Sequence, residues 1–327
     1  MSTVFLATTS EGLRFASDKA GNWTVEPVAP RHDVRCLAVD PNRPSTVFAG
    51  THGNGVLESR DAGYTWHECG LAGMTVKSLA VSKATPGRLY AGTKPARVFM
   101  SADYGNAWTE LRTFRRIRSR LFWFSPAERP FVAYVQALAL SPADPDLIIA
   151  GIEAGAVVRS TDGGRSWQDH RRGAMRDCHC LASHASAPGW FYEGGYGGGA
   201  FSRDGGANWE RLQGLDRKYG WAAAADVVDP ELQYVSVSPG VQAHSDHADA
   251  AIFRSRGERW ERLTGGLPSP LDAMPYGLLT GPGPGQITTG LSNGEVWQSY
   301  DAGDSSSRLA VTFPGIERCL LRLEDGS

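Results

Sequence analysis

The chain is poor in cysteine, carries no surplus of charge of either sign and has no long apolar run. Five cysteines in 327 residues are too few for a disulfide-stapled secreted scaffold, so a reducing compartment is expected. A formal net charge of −2 provides no global field for nucleic acid or an anionic membrane. No hydrophobic stretch approaches the ~20 residues that cross a bilayer. The opening MSTVFLATTSEG has no basic segment ahead of an apolar one and reads as a strand and a turn, so no signal peptide is expected. These absences point to a cytoplasmic monomer without a membrane or nucleic-acid partner. Strong metal-binding spacings are also missing, and neither a metal nor a cofactor is expected. His244, Asp246, His247 and Asp249 read as a polar loop, and Cys178 and Cys180 as small core residues flanking His179.

Glycine, in contrast, is abundant, with 39 residues, as many tight turns between short strands require. One eleven-residue phrase also recurs: SRDAGYTWHEC (59–69), SADYGNAWTEL (101–111), STDGGRSWQDH (160–170) and SRDGGANWERL (202–212). Each contains Ser-x-Asp-x-Gly-x-x-Trp. The steps from Trp66 to Trp108 and from Trp167 to Trp209 are both 42 residues. A period of this size marks a stack of small units that cannot bury their faces alone. Around the first copy, VRCLAVDP (34–41), TVFAGTH (46–52), GVLESR (55–60) and TWHEC (65–69) read as four strands. Four antiparallel strands make one propeller blade.

The phrase itself has structural work to do. Its Asp accepts backbone N–H groups of a tight turn, its Gly permits positive φ, and its Trp supplies apolar area for burial. Decayed copies extend the count. Trp23 follows Asp18. Gly257 and Trp260 are kept with Ser255 in the Asp position. Ser299, Asp301 and Gly303 are kept with Ser306 in the Trp position. The expected fold is an all-β, seven-bladed propeller with blades at 3–27 plus 316–323, 34–69, 76–111, 135–170, 178–212, 220–263 and 275–309. The first blade lacks an inner strand, and Arg318-Cys319-Leu320-Leu321 matches Arg35-Cys36-Leu37-Ala38. The C-terminal strand is therefore expected to complete the first blade and hide both sheet edges.

The repeat resembles the Asp-box (BNR) repeat of sialidase-like, Ycf48-like and sortilin-like β-propellers. That resemblance covers nearly the whole chain and implies the fold. The families it brings together include glycoside hydrolases, receptors and photosystem II assembly factors, so it implies no single activity. Sialidases carry an early Arg-Ile-Pro motif, which is absent here; Arg116-Ile117-Arg118 falls inside an insertion.

Alternating strands put the repeated turns on one face. The second turns and blade-to-blade links lie on the other, where copies differ most in length, and variable loops over a rigid scaffold carry binding residues. An unknown small molecule or protein partner is expected there. The insertion 112–134 combines Arg115, Arg116 and neighbouring arginines with Trp123 and other aromatics, as recognition surfaces do. It reads as a self-packed loop, a ligand lid or a docking loop. Inner strands aligned on Leu37 place Arg35, Lys77, Gln136, His179, Tyr276 and Arg318 at one equivalent position. Such a ring suits an anion, or is simply the solvated lining of a channel. Glu193 breaks a run of small residues, and alignment on Asp-Pro places Asp226 at the Leu37 position. With Tyr196 they form a candidate acid–base set; the alternative is buried carboxylates bonded to local donors. A binding or scaffold module is the main reading, and an enzyme acting on a sugar or anionic substrate the second.

Overall fold

Short apolar segments separated by glycine, proline and aspartate pair readily with their immediate chain neighbours, and apart from the C-terminal strand the sheets are built in that way. A computed structural model describes residues 3–257 and 259–324. Its sheets are seven antiparallel meanders arranged as the blades of a propeller. Blade one contains Thr3–Thr9, Gly12–Lys19 and Asn22–Pro27; blade two Val34–Asp40, Arg43–Thr51, Val56–Ser59 and His67–Glu68. Blade three contains Thr75–Val81, Leu89–Lys94, Val98–Ser101 and Thr109–Glu110. Blade four has Val135–Leu140, Ile148–Ile152 and Val157–Ser160, its fourth strand reduced to a bridge between Arg159 and Gln168. Blade five contains Cys178–Ser183, Phe191–Gly195, Gly198–Ser202 and Glu210–Arg211. Blade six contains Tyr219–Ala225, Leu232–Ser238, Ala251–Arg256 and Trp260–Arg262, and blade seven Pro275–Thr280, Ile287–Leu291, Glu295–Ser299 and Ser307–Thr312.

The ring closes through the C-terminus. Leu320–Glu324 pairs with the first strand in the register Val4 with Leu323, Leu6 with Leu321 and Ala7 with Leu320. Thr8 and Cys319 extend the pairing, Thr8 N donating to Cys319 O at 3.0 Å. Leu320 and Leu323 are buried, so the closing strand contributes apolar contacts as well as hydrogen bonds.

Blade packing explains the Ala-Gly dipeptides of the second strands. A Cβ added to Gly50 would lie 2.5 Å from Cys36 Sγ and 2.7 Å from Val76 of the next blade. At Gly92 it would meet Val135 at 2.6 Å, and at Gly151 Cys178 at 2.2 Å. Only glycine permits that approach. The residue before each glycine points the other way, and Glu193 takes the place of Ala49, Ala91 and Ala150 opposite the inner-strand leucine.

The repeated turn has the same geometry in five blades. In blade two, Ser59 Oγ donates to Asp61 Oδ1 at 2.8 Å and accepts from Gly63 N at 2.8 Å, while Asp61 Oδ1 accepts from Thr65 N at 2.9 Å. The bonds recur at Ser101, Ser160, Ser202 and Ser299. The turn glycine takes φ of 77° to 102°, which disfavours a Cβ. Blade seven keeps the turn intact although Ser306 replaces the tryptophan, so the hydrogen bonds rather than the ring define it. Blades one and six lack the Ser-x-Asp pair and reverse in shorter hairpins, pairing Lys19 with Asn22 and Ser255 with Trp260.

Candidate functional site

Inner strands of six blades carry a β-bulge near their start. Pairing skips Arg35, Lys77, Gln136, His179 and Tyr276 in blades two to five and seven. Blade six skips two residues, Trp221 and Ala222. A bulge inserts residues that the partner strand does not match and re-aims their side chains. All of these residues, together with Arg318 before the closing strand, line one cavity of about 1550 Å³. The rest of its rim comes from second turns and blade-to-blade links, including Glu153, Asp177, Tyr196 and Asp246. The cavity therefore opens on the face opposite the Ser-x-Asp turns.

One wall is acidic. Glu153 follows the second strand of blade four, and Asp177 and His179 open blade five. His179 is buried, with Nδ1 2.7 Å from Gly220 O. Its Nε2 faces Asp177 Oδ2 at 3.6 Å and Glu153 Oε2 at 4.0 Å. Burial pushes the Glu153 pKa up to about 7, with Asp177 adding to the rise and His179 opposing it. Burial works against ionised Asp177, but His179 and the Ala154 N–H outweigh it and hold the carboxyl below its ordinary range. Burial also opposes the charge on His179, yet the facing carboxylates raise its pKa on balance.

The adjoining wall is aromatic. Trp221 packs against His179, His244 and Tyr276 with ring centroids 4.9, 5.3 and 4.9 Å away. Tyr276 OH donates to Ala243 O at 3.3 Å and lies 2.5 Å from His244 Nδ1. His244 Nε2 lies 2.9 Å from Tyr219 OH, so each ring nitrogen faces a tyrosine hydroxyl that can donate or accept. Burial lowers the His244 pKa, in keeping with a neutral ring.

The third wall is cationic and is answered by the insertion. Glu128 lies 2.7 Å from Lys77, 3.3 Å from Lys94 and 3.8 Å from Arg35. Lys77 also stands 4.3 Å from the centre of the Tyr134 ring. Burial opposes ionisation of Glu128, but Lys77 and Lys94 overcome it and bring its pKa down to about 2. Burial of Lys77 lowers its own pKa despite Glu128.

The remaining residues singled out from the sequence lie elsewhere. Arg115 pairs with Glu110, Arg116 is exposed, and Trp123 donates to Ser119 Oγ at 3.0 Å. They lie outside the cavity lining; the insertion reaches it through Pro126, Ala127, Glu128 and Tyr134. Phe114 and Ile117 bury the start of the insertion against blades three and four, while Leu121 and Phe122 are 88% and 85% exposed at its tip. Glu193 is sealed beside the link from blade four, its Oε2 accepting from Met175 N at 2.9 Å. Asp226 stands at the far end of its strand from Tyr219, the partner of Tyr196. It caps a turn by accepting from Val228 N, Asp229 N and Gly285 N. The structure thus does not bring Glu193, Asp226 and Tyr196 together. In the pairing, Asp226 corresponds to Asp40, which accepts from Asn42 N at 2.8 Å, rather than to Leu37. The Asp-Pro of blade six belongs to the turn, which displaces that alignment by three residues. Sequence reasoning missed Glu153, Asp177, Tyr219, Trp221 and Glu128. A second-turn acid facing a link acid across neighbouring blades was the available signal.

No protein-family model matches the chain, and no curated protein does. Solved structures share its fold. A GH74 xyloglucanase from Xanthomonas campestris superposes with a TM-score of 0.70 at 18% identity, over 92% of this chain and 50% of its own. An ancestral GH74 enzyme gives 0.63 at 18% identity, over 86% of this chain and 39% of its own. This chain thus spans about two fifths to half the length of those enzymes. YCF48 bound to D1 peptide gives 0.59 at 15% identity, over 90% of this chain and 87% of its own. At these identities the likeness is one of fold.

Proposed function

We propose that the chain is a binding module that recognises a ligand or protein partner through the loops opposite the Ser-x-Asp turns, with the cavity as its recognition site. The observation that carries this reading is the wall itself. All seven blades contribute to about 1550 Å³ of space, and acidic, aromatic and cationic surfaces each occupy their own sector. Such a pocket suits a polar ligand with both donor and acceptor groups, or the projecting end of a peptide, with aromatic faces for its apolar part. YCF48, a fold neighbour, is bound to a peptide in its solved structure. We read the five Ser-x-Asp turns as Asp boxes that stabilise the scaffold. Five free cysteines support a reducing, cytoplasmic setting. No helix among the described residues is long and apolar enough to cross a membrane.

Catalysis is the second reading, favoured by the convergence of Glu153, Asp177 and His179 on the cavity wall. The catalytic set of Glu193, Asp226 and Tyr196 has less support, since those side chains stand apart.

A native mass spectrum of the purified protein tests the main reading. Retained mass that is lost on denaturation, and lost with Arg318→Ala or Gln136→Leu, supports a cavity ligand. A clean mass, with no thermal shift from amino acids, short peptides, oligosaccharides or phosphate, argues against it. Turnover of chromogenic glycosides by the wild type, abolished in Glu153→Gln, would move the chain to the second reading.

A further inference from the structure

The acidic wall has a feature that recognition of an organic ligand does not require. The ligand-capable atoms of Glu153, Asp177 and His179 all lie within 4.8 Å of one another. His179 Nε2 faces the two carboxylates at 3.6 and 4.0 Å, beyond ordinary hydrogen-bond length. The imidazole is only 1% exposed, so its position is set by the fold rather than by solvent.

Two of the groups are oriented through their other polar atom. His179 Nδ1 is held by Gly220 O at 2.7 Å, and Asp177 Oδ1 accepts from Ala154 N at 2.9 Å. Tyr134 faces the Glu153 carboxyl. A histidine fixed through one nitrogen on a backbone carbonyl, with the other presented to a pair of carboxylates, is the arrangement that orients metal ligands.

We propose that Glu153, Asp177 and His179 form a binding site for a divalent transition-metal cation on the cavity wall. Geometry sets the fit. A point equidistant from three atoms lies at their separation divided by √3. That is about 2.1 Å for separations of 3.6 Å and about 2.8 Å for 4.8 Å, against metal–ligand bonds of about 2.0–2.2 Å. A movement of the two carboxylates by up to about 0.6 Å completes the site. Both are partly exposed, at 14% and 30%, and so have room to move. One imidazole nitrogen with two carboxylate oxygens suits Mn²⁺, Fe²⁺ or Zn²⁺, and the imidazole disfavours Mg²⁺ and Ca²⁺. A dication also offsets the repulsion between two acids in a partly desolvated corner. Three protein ligands leave coordination positions that face the cavity, where water or an oxygen-bearing ligand completes the shell. The site does not depend on the identity of any organic ligand.

Manganese titration of the full chain, followed by the electron paramagnetic resonance signal of free Mn²⁺, tests the proposal, with Zn²⁺ calorimetry in parallel. The wild type is expected to remove one Mn²⁺ per chain from solution below millimolar metal. Asp177→Asn and Glu153→Gln are each expected to bind at least tenfold more weakly with unchanged folded-state circular dichroism. Asp246→Asn, on the rim but outside the trio, is expected to bind like the wild type. The proposal is overturned if the wild type leaves both metals free, or if Asp177→Asn and Glu153→Gln bind as tightly as the wild type. Its failure leaves the ligand-retention experiment untouched, and the converse also holds.

Discussion

Glutamine in place of Glu193 isolates the consequence of placing a carboxyl group in a sealed slot. The side chain is fully buried, and among the described residues its Oε1 has no hydrogen-bond partner. Burial pushes its pKa from 4.5 to about 8, against the pull of the Met175 N–H. The folded protein therefore keeps the group protonated at neutral pH, while the unfolded chain ionises it near 4.5. Between those values the unfolded state binds fewer protons, so stability falls as pH rises. At about 1.4 kcal/mol per pH unit, the span from pH 5 to pH 8 amounts to about 4 kcal/mol. Glutamine keeps the shape and the acceptor for Met175 N and does not titrate. Its stability should therefore gain about 4 kcal/mol on the wild type across that window, whatever the offset at pH 5. An unfolding entropy of about 2.1 cal/mol/K per residue over 327 residues gives about 0.7 kcal/mol/K, so the two Tm values should diverge by about 6 °C. Thermal melts of both proteins at pH 5, 6, 7 and 8 in one salt concentration measure this. Parallel Tm profiles would refute the reasoning, because they would mean that Glu193 ionises inside the fold. Loss of turnover in the variant would instead return Glu193 to a catalytic role.

Two further perturbations probe the scaffold. Removing residues 316–327 exposes surface that Ile316, Leu320 and Leu323 bury and leaves the first strand unpaired along one edge. At about 1.5–3 kcal/mol per buried aliphatic side chain, the loss should be about 5 kcal/mol or more, and a truncated chain with the wild-type Tm would sink the closure argument. Alanine at Ser59, Ser101, Ser160, Ser202 or Ser299 should cost about 1–3 kcal/mol each, because the glycine N–H of the turn loses its acceptor. The five melts should agree closely. If Ser299→Ala alone were harmless, the tryptophan and not the hydrogen-bonded turn would be what makes a copy count.

Blade number and ring closure were legible because repetition averages out local ambiguity. One short strand such as Val56–Ser59 is weak evidence, but Ser-x-Asp-x-Gly in successive copies fixes where each meander turns. The inner-strand ring was legible for the same reason. Arg35, Lys77, Gln136, His179 and Tyr276 share one position near the start of matching inner strands, and that position proves to be the bulged residue that faces the cavity. Blade six escaped because its Asp-Pro, Asp229-Pro230, lies three residues further on, in the turn, and alignment on it displaced Asp226 and hid Trp221, the residue that matches Arg35.

The acidic wall was hidden for a different reason. Glu153 lies past the end of a second strand, where other copies have His52 and Tyr196, and Asp177 before an inner strand, where others have Asp33 and Tyr134; those positions follow no pattern against which an acid would look unusual. Comparison of repeats finds departures from a pattern, and it found Glu193, which occupies a position the pattern defines. Departures of that kind are sealed between blades, where the pattern is set by packing. Residues that face the cavity lie where the copies are free to differ, so a charge there breaks no rule. The packing of blade five against blade four brings Asp177 and His179 to Glu153. In a propeller, the break in the repeat therefore reports on the scaffold, and the site has to be sought on the rim, where neighbouring links and second turns meet.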